Sequence, residues 1–149
     1  MSNIVHRSVT LRCTAAEAFQ KFTATEHLTG WLAKDAEVEP KAGGKYELFW
    51  DAGEREKNST LGCRITAFEP DKLIAFDWKG PEPFRHFMNV ARPLTHVTIF
   101  FLPSPETTEV HLIHTGWGDT PEWDDARQWF ERAWSEALES LRNQIDEGR

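Results

Sequence analysis

Hydrophobic and polar positions along this chain repeat with two different periods. Between positions 121 and 145 the apolar residues Trp123, Ala126, Phe130, Ala133, Trp134, Ala137, Leu138, Leu141 and Ile145 recur three and four apart, which predicts one face of a long α-helix. The opposite face carries Arg127, Glu131, Arg132, Glu136, Glu139 and Arg142, with Arg127/Glu131 and Arg132/Glu136 spaced for ion pairs in water. Asp119 or Thr120 caps the first amides, Pro121 suits the first helical position, and Glu122, Asp124 and Asp125 favour the positive end of the dipole. The ordinary use of such an aromatic stripe is core packing, so the helix needs a large apolar surface to lie on.

Upstream the period is two. Positions 4–12 alternate, with Ile4, His6, Ser8 and Thr10 on one side and Val5, Arg7, Val9 and Leu11 on the other, as in a half-buried strand. Thr14 with Glu17 makes a capping box that opens a short helix with Ala15, Ala18, Phe19 and Phe22 on its apolar face, and a second short helix spans 26–32, ending near Trp31. Strands are then predicted at 36–39, 45–51, 60–68, 72–78, 95–102 and 109–115, separated by segments rich in Gly, Pro, Asp or Ser. Such short connections make neighbouring strands antiparallel.

The expected fold is therefore α+β, one domain over 1–149, with about seven strands curling round the last helix. Four sets of residues are assigned to the face turned toward that helix: Leu61, Cys63, Ile65 and Ala67; Ile74, Phe76 and Trp78; Tyr46, Leu48 and Trp50; Val110, Leu112 and His114. Positions 81–92, with Phe84, His86, Phe87 and Met88, read either as a flap over one end of the sheet or as an irregular loop packing its own phenylalanines.

Composition narrows the function classes. A chain of 149 residues has room for one sizeable core, and its net charge of −7 comes without any Lys/Arg-rich run, which argues against nucleic acid or an anionic membrane as partner. No stretch approaches the ~20 apolar residues of a membrane span, and the first ten residues have no apolar core of signal-peptide length, so a cytoplasmic protein is expected. Cys13 and Cys63 stand far apart with no Cys-x-x-Cys and read as buried thiols rather than a disulfide or metal framework. Seven Trp and ten Phe against one Tyr supply rings enough both for a core and for an apolar pocket.

Familiar chemistry is missing. Gly43-Gly44 lacks the further glycines or the Lys-Ser/Thr of a phosphate loop, and there is no Gly-x-Ser-x-Gly or His-Glu-x-x-His. His111 and His114 fall on opposite faces of one strand, so no shared metal is expected, and no cofactor either. His114 is the candidate polar residue, because alternation places it on the buried face with Val110 and Leu112. A buried imidazole needs a partner: His114 is either a core histidine satisfied by its neighbours or a pocket histidine that orients a ligand or moves a proton.

Several pieces in this order carry a resemblance: Trp31; Pro40-Lys41-Ala42-Gly43-Gly44-Lys45-Tyr46; Gly62 with Pro70, Leu73, Phe76 and Trp78; His114-Thr115-Gly116-Trp117; and Trp134 with Leu138 and Leu141. Together they resemble the START-like helix-grip (SRPBCC) superfamily, in the branch named after the activator of heat-shock protein 90 ATPase. The resemblance runs across essentially the whole chain. It implies a seven-stranded antiparallel sheet gripping the last helix, with two short helices after the first strand and a hydrophobic cavity between sheet and helix. Members of that superfamily commonly have Gly before the tryptophan of the last helix, where this chain has Ala133, whose extra methyl would narrow the cavity. They include binders of lipids and aromatic molecules, some cyclase- or hydrolase-like enzymes, and a co-chaperone.

The function expected is that of a small binding protein holding an apolar, aromatic or lipid-like molecule. Trp31, Trp50, Trp78, Phe87, Met88, Phe130 and Trp134 form the expected apolar wall, with His114 and Trp117 as polar handles. The alternatives are a cavity enzyme using His114 as acid or base, and an interaction module that stimulates a chaperone ATPase. A homodimer paired through the other face of the sheet is left open.

Overall fold

The computed structural model describes residues 3–51 and 53–148. Along the chain run β1 (Val5–Leu11), α1 (Ala15–Thr23), α2 (Thr25–Trp31), β2 (Asp35–Val38), β3 (Tyr46–Phe49), β4 (Ile65–Glu69), β5 (Leu73–Trp78), α3 (Arg85–Met88), β6 (Thr95–Pro103), β7 (Thr108–Thr115) and α4 (Pro121–Glu147). The capping signals act as their sequences dictate. Thr14 accepts from the Glu17 amide while the Glu17 side chain returns to the Thr14 amide, and the Thr120 hydroxyl accepts from the Trp123 amide at 3.3 Å. Helix α4 buries Ala126, Phe130, Trp134, Leu138, Leu141 and Ile145, and on its outer side Arg127 reaches Glu131 at 3.4 Å.

The main sheet is antiparallel in the order β1-β7-β6-β5-β4. Its register sets Val5 against His114, Val97 against His114 from the other side, and Phe76 against Val97. Alternate residues Val97, Ile99 and Phe101 of β6 and Val110, Leu112 and His114 of β7 are buried with the inner face of β1. Burying such rows along α4 is the main source of cohesion, at about 25 cal/mol per Å² of apolar surface removed from water.

The fold is the expected helix-grip arrangement, with three local departures. Strands β2 and β3 form a separate two-stranded ladder, joined to the rest by single bridges at Lys45–Arg64 and Phe49–Ser59. The strand expected from position 60 begins only at Ile65, because the chain turns at Gly62 with φ +88°. There the Thr60 side chain completes the seam: its hydroxyl accepts from the Leu48 amide and donates to the Tyr46 carbonyl, both at 2.9 Å. Next, a bulge between Ile65 and Ala67 shifts the alternation, so that Phe68 rather than Ala67 packs inward, 5.3 Å from Phe19. Lastly, positions 81–92 are not wholly irregular, and Phe84 packs on Phe87 at 6.2 Å and on Trp129 at 5.8 Å. A 3₁₀ turn at Glu82–Phe84 leads into α3, and Met88 is fully buried beneath Gly80, where an added Cβ would lie 2.5 Å from the Met88 Sδ.

Candidate functional site

Where α4 passes the end of the sheet it does not close on it. A partly open cavity of about 440 Å³ remains, lined from α2 and its end by Trp31 and Leu32, and from the β3–β4 connection by Trp50, Asn58 and Ser59. Trp78, Lys79, Gly80 and Pro81 line it from the end of β5, and Trp129, Phe130, Ala133, Trp134, Glu136 and Ala137 from α4. The walls are thus indole and phenyl rings carried on separate elements. Trp78 sits 6.0 Å from Trp50 and 5.1 Å from Trp134, centroid to centroid.

Three of these indoles are anchored by their N–H groups. Trp31 donates to the Lys21 carbonyl at 2.8 Å, Trp50 to the Leu32 carbonyl at 2.7 Å, and Trp134 to Nδ1 of His114 at 3.1 Å. Satisfying a buried N–H at one edge fixes the ring, so the wall is preorganised rather than collapsible. Behind it, Tyr46 stacks on Phe76 at 3.8 Å and donates to the Phe22 carbonyl at 2.6 Å.

Of the residues expected at the site, Trp31, Trp50, Trp78, Phe130 and Trp134 come together around this cavity. His114, Trp117, Phe87 and Met88 are placed elsewhere. The His114 ring lies 5.0 Å from Phe130 and 4.3 Å from Trp117, whose Nε1 donates to the His114 carbonyl at 2.9 Å. It stands behind the wall. Phe87 packs on Trp123 at 4.9 Å, and Met88 fills the space under Gly80.

His114 is fully buried, and that burial, assisted by His96, pushes its pKa down to about 3. Because Nδ1 accepts from Trp134, the proton sits on Nε2, which is buried with no hydrogen-bond partner among the described residues. The imidazole therefore stays neutral and orients Trp134; its basic nitrogen already holds a proton donor. Burial likewise pushes the Cys63 thiol up to about 12, the state of a core residue. Among the described residues no three His, Cys, Asp or Glu side chains converge as a metal site, and no helix is long and apolar enough to cross a membrane.

Among the wall residues that sequence reasoning missed are Trp129, Asn58, Ser59 and Lys79. Trp129 carried a signal, since a tryptophan out of phase with the stripe, 38% exposed, has no core role to explain it. The other three follow from loop geometry that periodicity does not encode.

A family model described as activator of Hsp90 ATPase homolog 1-like protein matches residues 12–146. No curated protein matches the sequence. Solved structures share the fold at low identity. A protein from Mesorhizobium loti superposes with a TM-score of 0.77 at 18% identity, covering 98% of each chain. An HSP90 activator from Plasmodium falciparum gives 0.73 at 18% identity over 97% of each chain. The Aha1 dimer from Colwellia psychrerythraea gives 0.72 at 14% identity, covering 97% of this chain and 96% of that one.

Proposed function

We propose that this chain, which belongs to the activator of Hsp90 ATPase homolog 1-like family, is a binding protein that holds an apolar, ring-bearing molecule between α4 and the end of its sheet. The observation that carries this reading is the cavity of about 440 Å³ with walls of anchored indoles. Its size sets the guest. A dry cavity of ~150 Å³ holds one benzene, so this one suits two or three fused or linked rings. Affinity points the same way, because a single ring burying roughly 150 Å² gains about 4 kcal/mol, no more than millimolar binding before the costs of association.

Among the described residues that line the cavity there is no histidine and only one carboxylate. Its charged wall residues are Lys79 and Glu136 on different elements, and His114 lies behind Trp134. Binding without turnover fits that arrangement. Native mass spectrometry of the protein taken from its own cells, before and after denaturation, is expected to release a small aromatic or lipid-like molecule. Ala133→Leu, which fills the cavity from the helix, is expected to abolish that cargo while melting within a few degrees of the parent stripped of its cargo. Cargo retained in full by Ala133→Leu would sink the proposal.

Family membership supports a second reading, stimulation of a chaperone ATPase, since relatives of this fold include an HSP90 activator. The discriminating measurement is the ATPase rate of the cognate Hsp90 with added parent protein or Ala133→Leu. Equal stimulation by both would give the surface, not the cavity, the working role.

A further inference from the structure

The polar groups of the cavity wall are unequally satisfied. At the end formed by positions 58–61 and 78–81 three backbone acceptors are taken: the Leu61 carbonyl receives Lys79 Nζ at 2.6 Å, the Gly80 carbonyl receives Asn89 Nδ2 at 3.2 Å, and the Trp78 carbonyl receives the Thr95 hydroxyl at 3.2 Å. Donors are left over. Lys79 keeps two N–H groups after Leu61, and it makes no ion pair among the described residues. Asn58 turns its Oδ1 to the Glu82 amide at 2.8 Å, which leaves its Nδ2 as a donor. The Trp78 indole N–H, unlike those of Trp31, Trp50 and Trp134, has no partner among the described residues.

These three residues line the same cavity and come from two neighbouring segments, positions 58–59 and 78–81. The carboxylate that lines the cavity, Glu136, is exposed and belongs to α4. One end of an apolar chamber thus offers the ammonium of a half-buried lysine and two neutral donors, for which no further hydrogen-bond acceptor is found among the described residues.

Resting on the binding role just argued, we infer that the guest is an aromatic acid, its anionic group held by Lys79, Asn58 and Trp78 and its rings packed among Trp50, Trp78 and Trp134. A charged acceptor on a partly buried ammonium gains more than a neutral one, because both partners are shielded from water and the bond is charge-assisted. The rings supply affinity and the anion supplies orientation and selectivity.

Isothermal titration calorimetry with 1-naphthylacetate and its neutral isostere 1-naphthylacetamide separates the two contributions. The parent protein is expected to bind the acid about tenfold more tightly than the amide, an advantage that shrinks at high salt. Lys79→Met keeps the aliphatic stem and is expected to erase that preference, the acid losing far more affinity than the amide; Lys79→Arg is expected to restore most of it. Equal affinity of the parent for acid and amide would overturn the inference and leave cavity binding intact, as would a preference that survives Lys79→Met. Heat from neither compound would instead overturn the cavity reading, and this inference with it.

Discussion

The imidazole of His114 is held neutral in a place where a proton would have neither water nor a counter-charge. Its folded pKa is depressed below the unfolded value of ~6.5, so the unfolded chain binds a proton first as pH falls. Stability from this residue is therefore full above about pH 6.5 and drains away toward about pH 3. Between pH 7.5 and 5 the loss from this one group is about 2 kcal/mol. Urea unfolding of the parent and of His114→Gln at both pH values is expected to show the parent losing that much more than the variant; parallel losses would mean that the ring is not buried neutral. Alternation along β7 was enough to read His114 as buried, but not to find its donor, because Trp134 lies twenty residues away on another element. Lys79 was hidden for a related reason: as the residue after Trp78 at a strand end, its environment is set by the 58–62 turn.

Among the elements, those with long, regular patterns were the legible ones. Helix α4, with its cap and buried stripe, and the ladder β5-β6-β7 follow directly from periodicity. The seam between β3 and β4 does not, since a side chain there takes the place of backbone. Removing the Thr60 hydroxyl strands the Leu48 N–H and the Tyr46 carbonyl in a fully buried place. Thr60→Val is expected to lower the unfolding free energy by about 2–4 kcal/mol, and Thr60→Ser by no more than about 1, as read by chemical denaturation. A valine variant as stable as the parent would show that the hydroxyl is not part of the ladder. The bulge after Ile65 escaped prediction because one extra residue reverses every later alternation, which is how Phe68 took the inward place assigned to Ala67.

At the scale of the whole molecule the cavity is bounded by segments near positions 31, 50–59, 78–81 and 129–137, which meet only when the chain is folded. A guest held there would therefore stabilise the folded state alone. With 1-naphthylacetate at one hundred times its dissociation constant, stability is expected to rise by about 2.7 kcal/mol, seen in calorimetric melting as roughly 5–10 °C. No shift at that occupancy would place the compound outside the folded cavity. The packing of Trp50, Trp78 and Trp134 in one chain of contacts also has an optical meaning. At these separations excitation absorbed by one indole can pass to its neighbours, so a guest that quenches Trp78 would dim all three. The wall of the chamber would then carry its own light-borne report of whether a guest is bound.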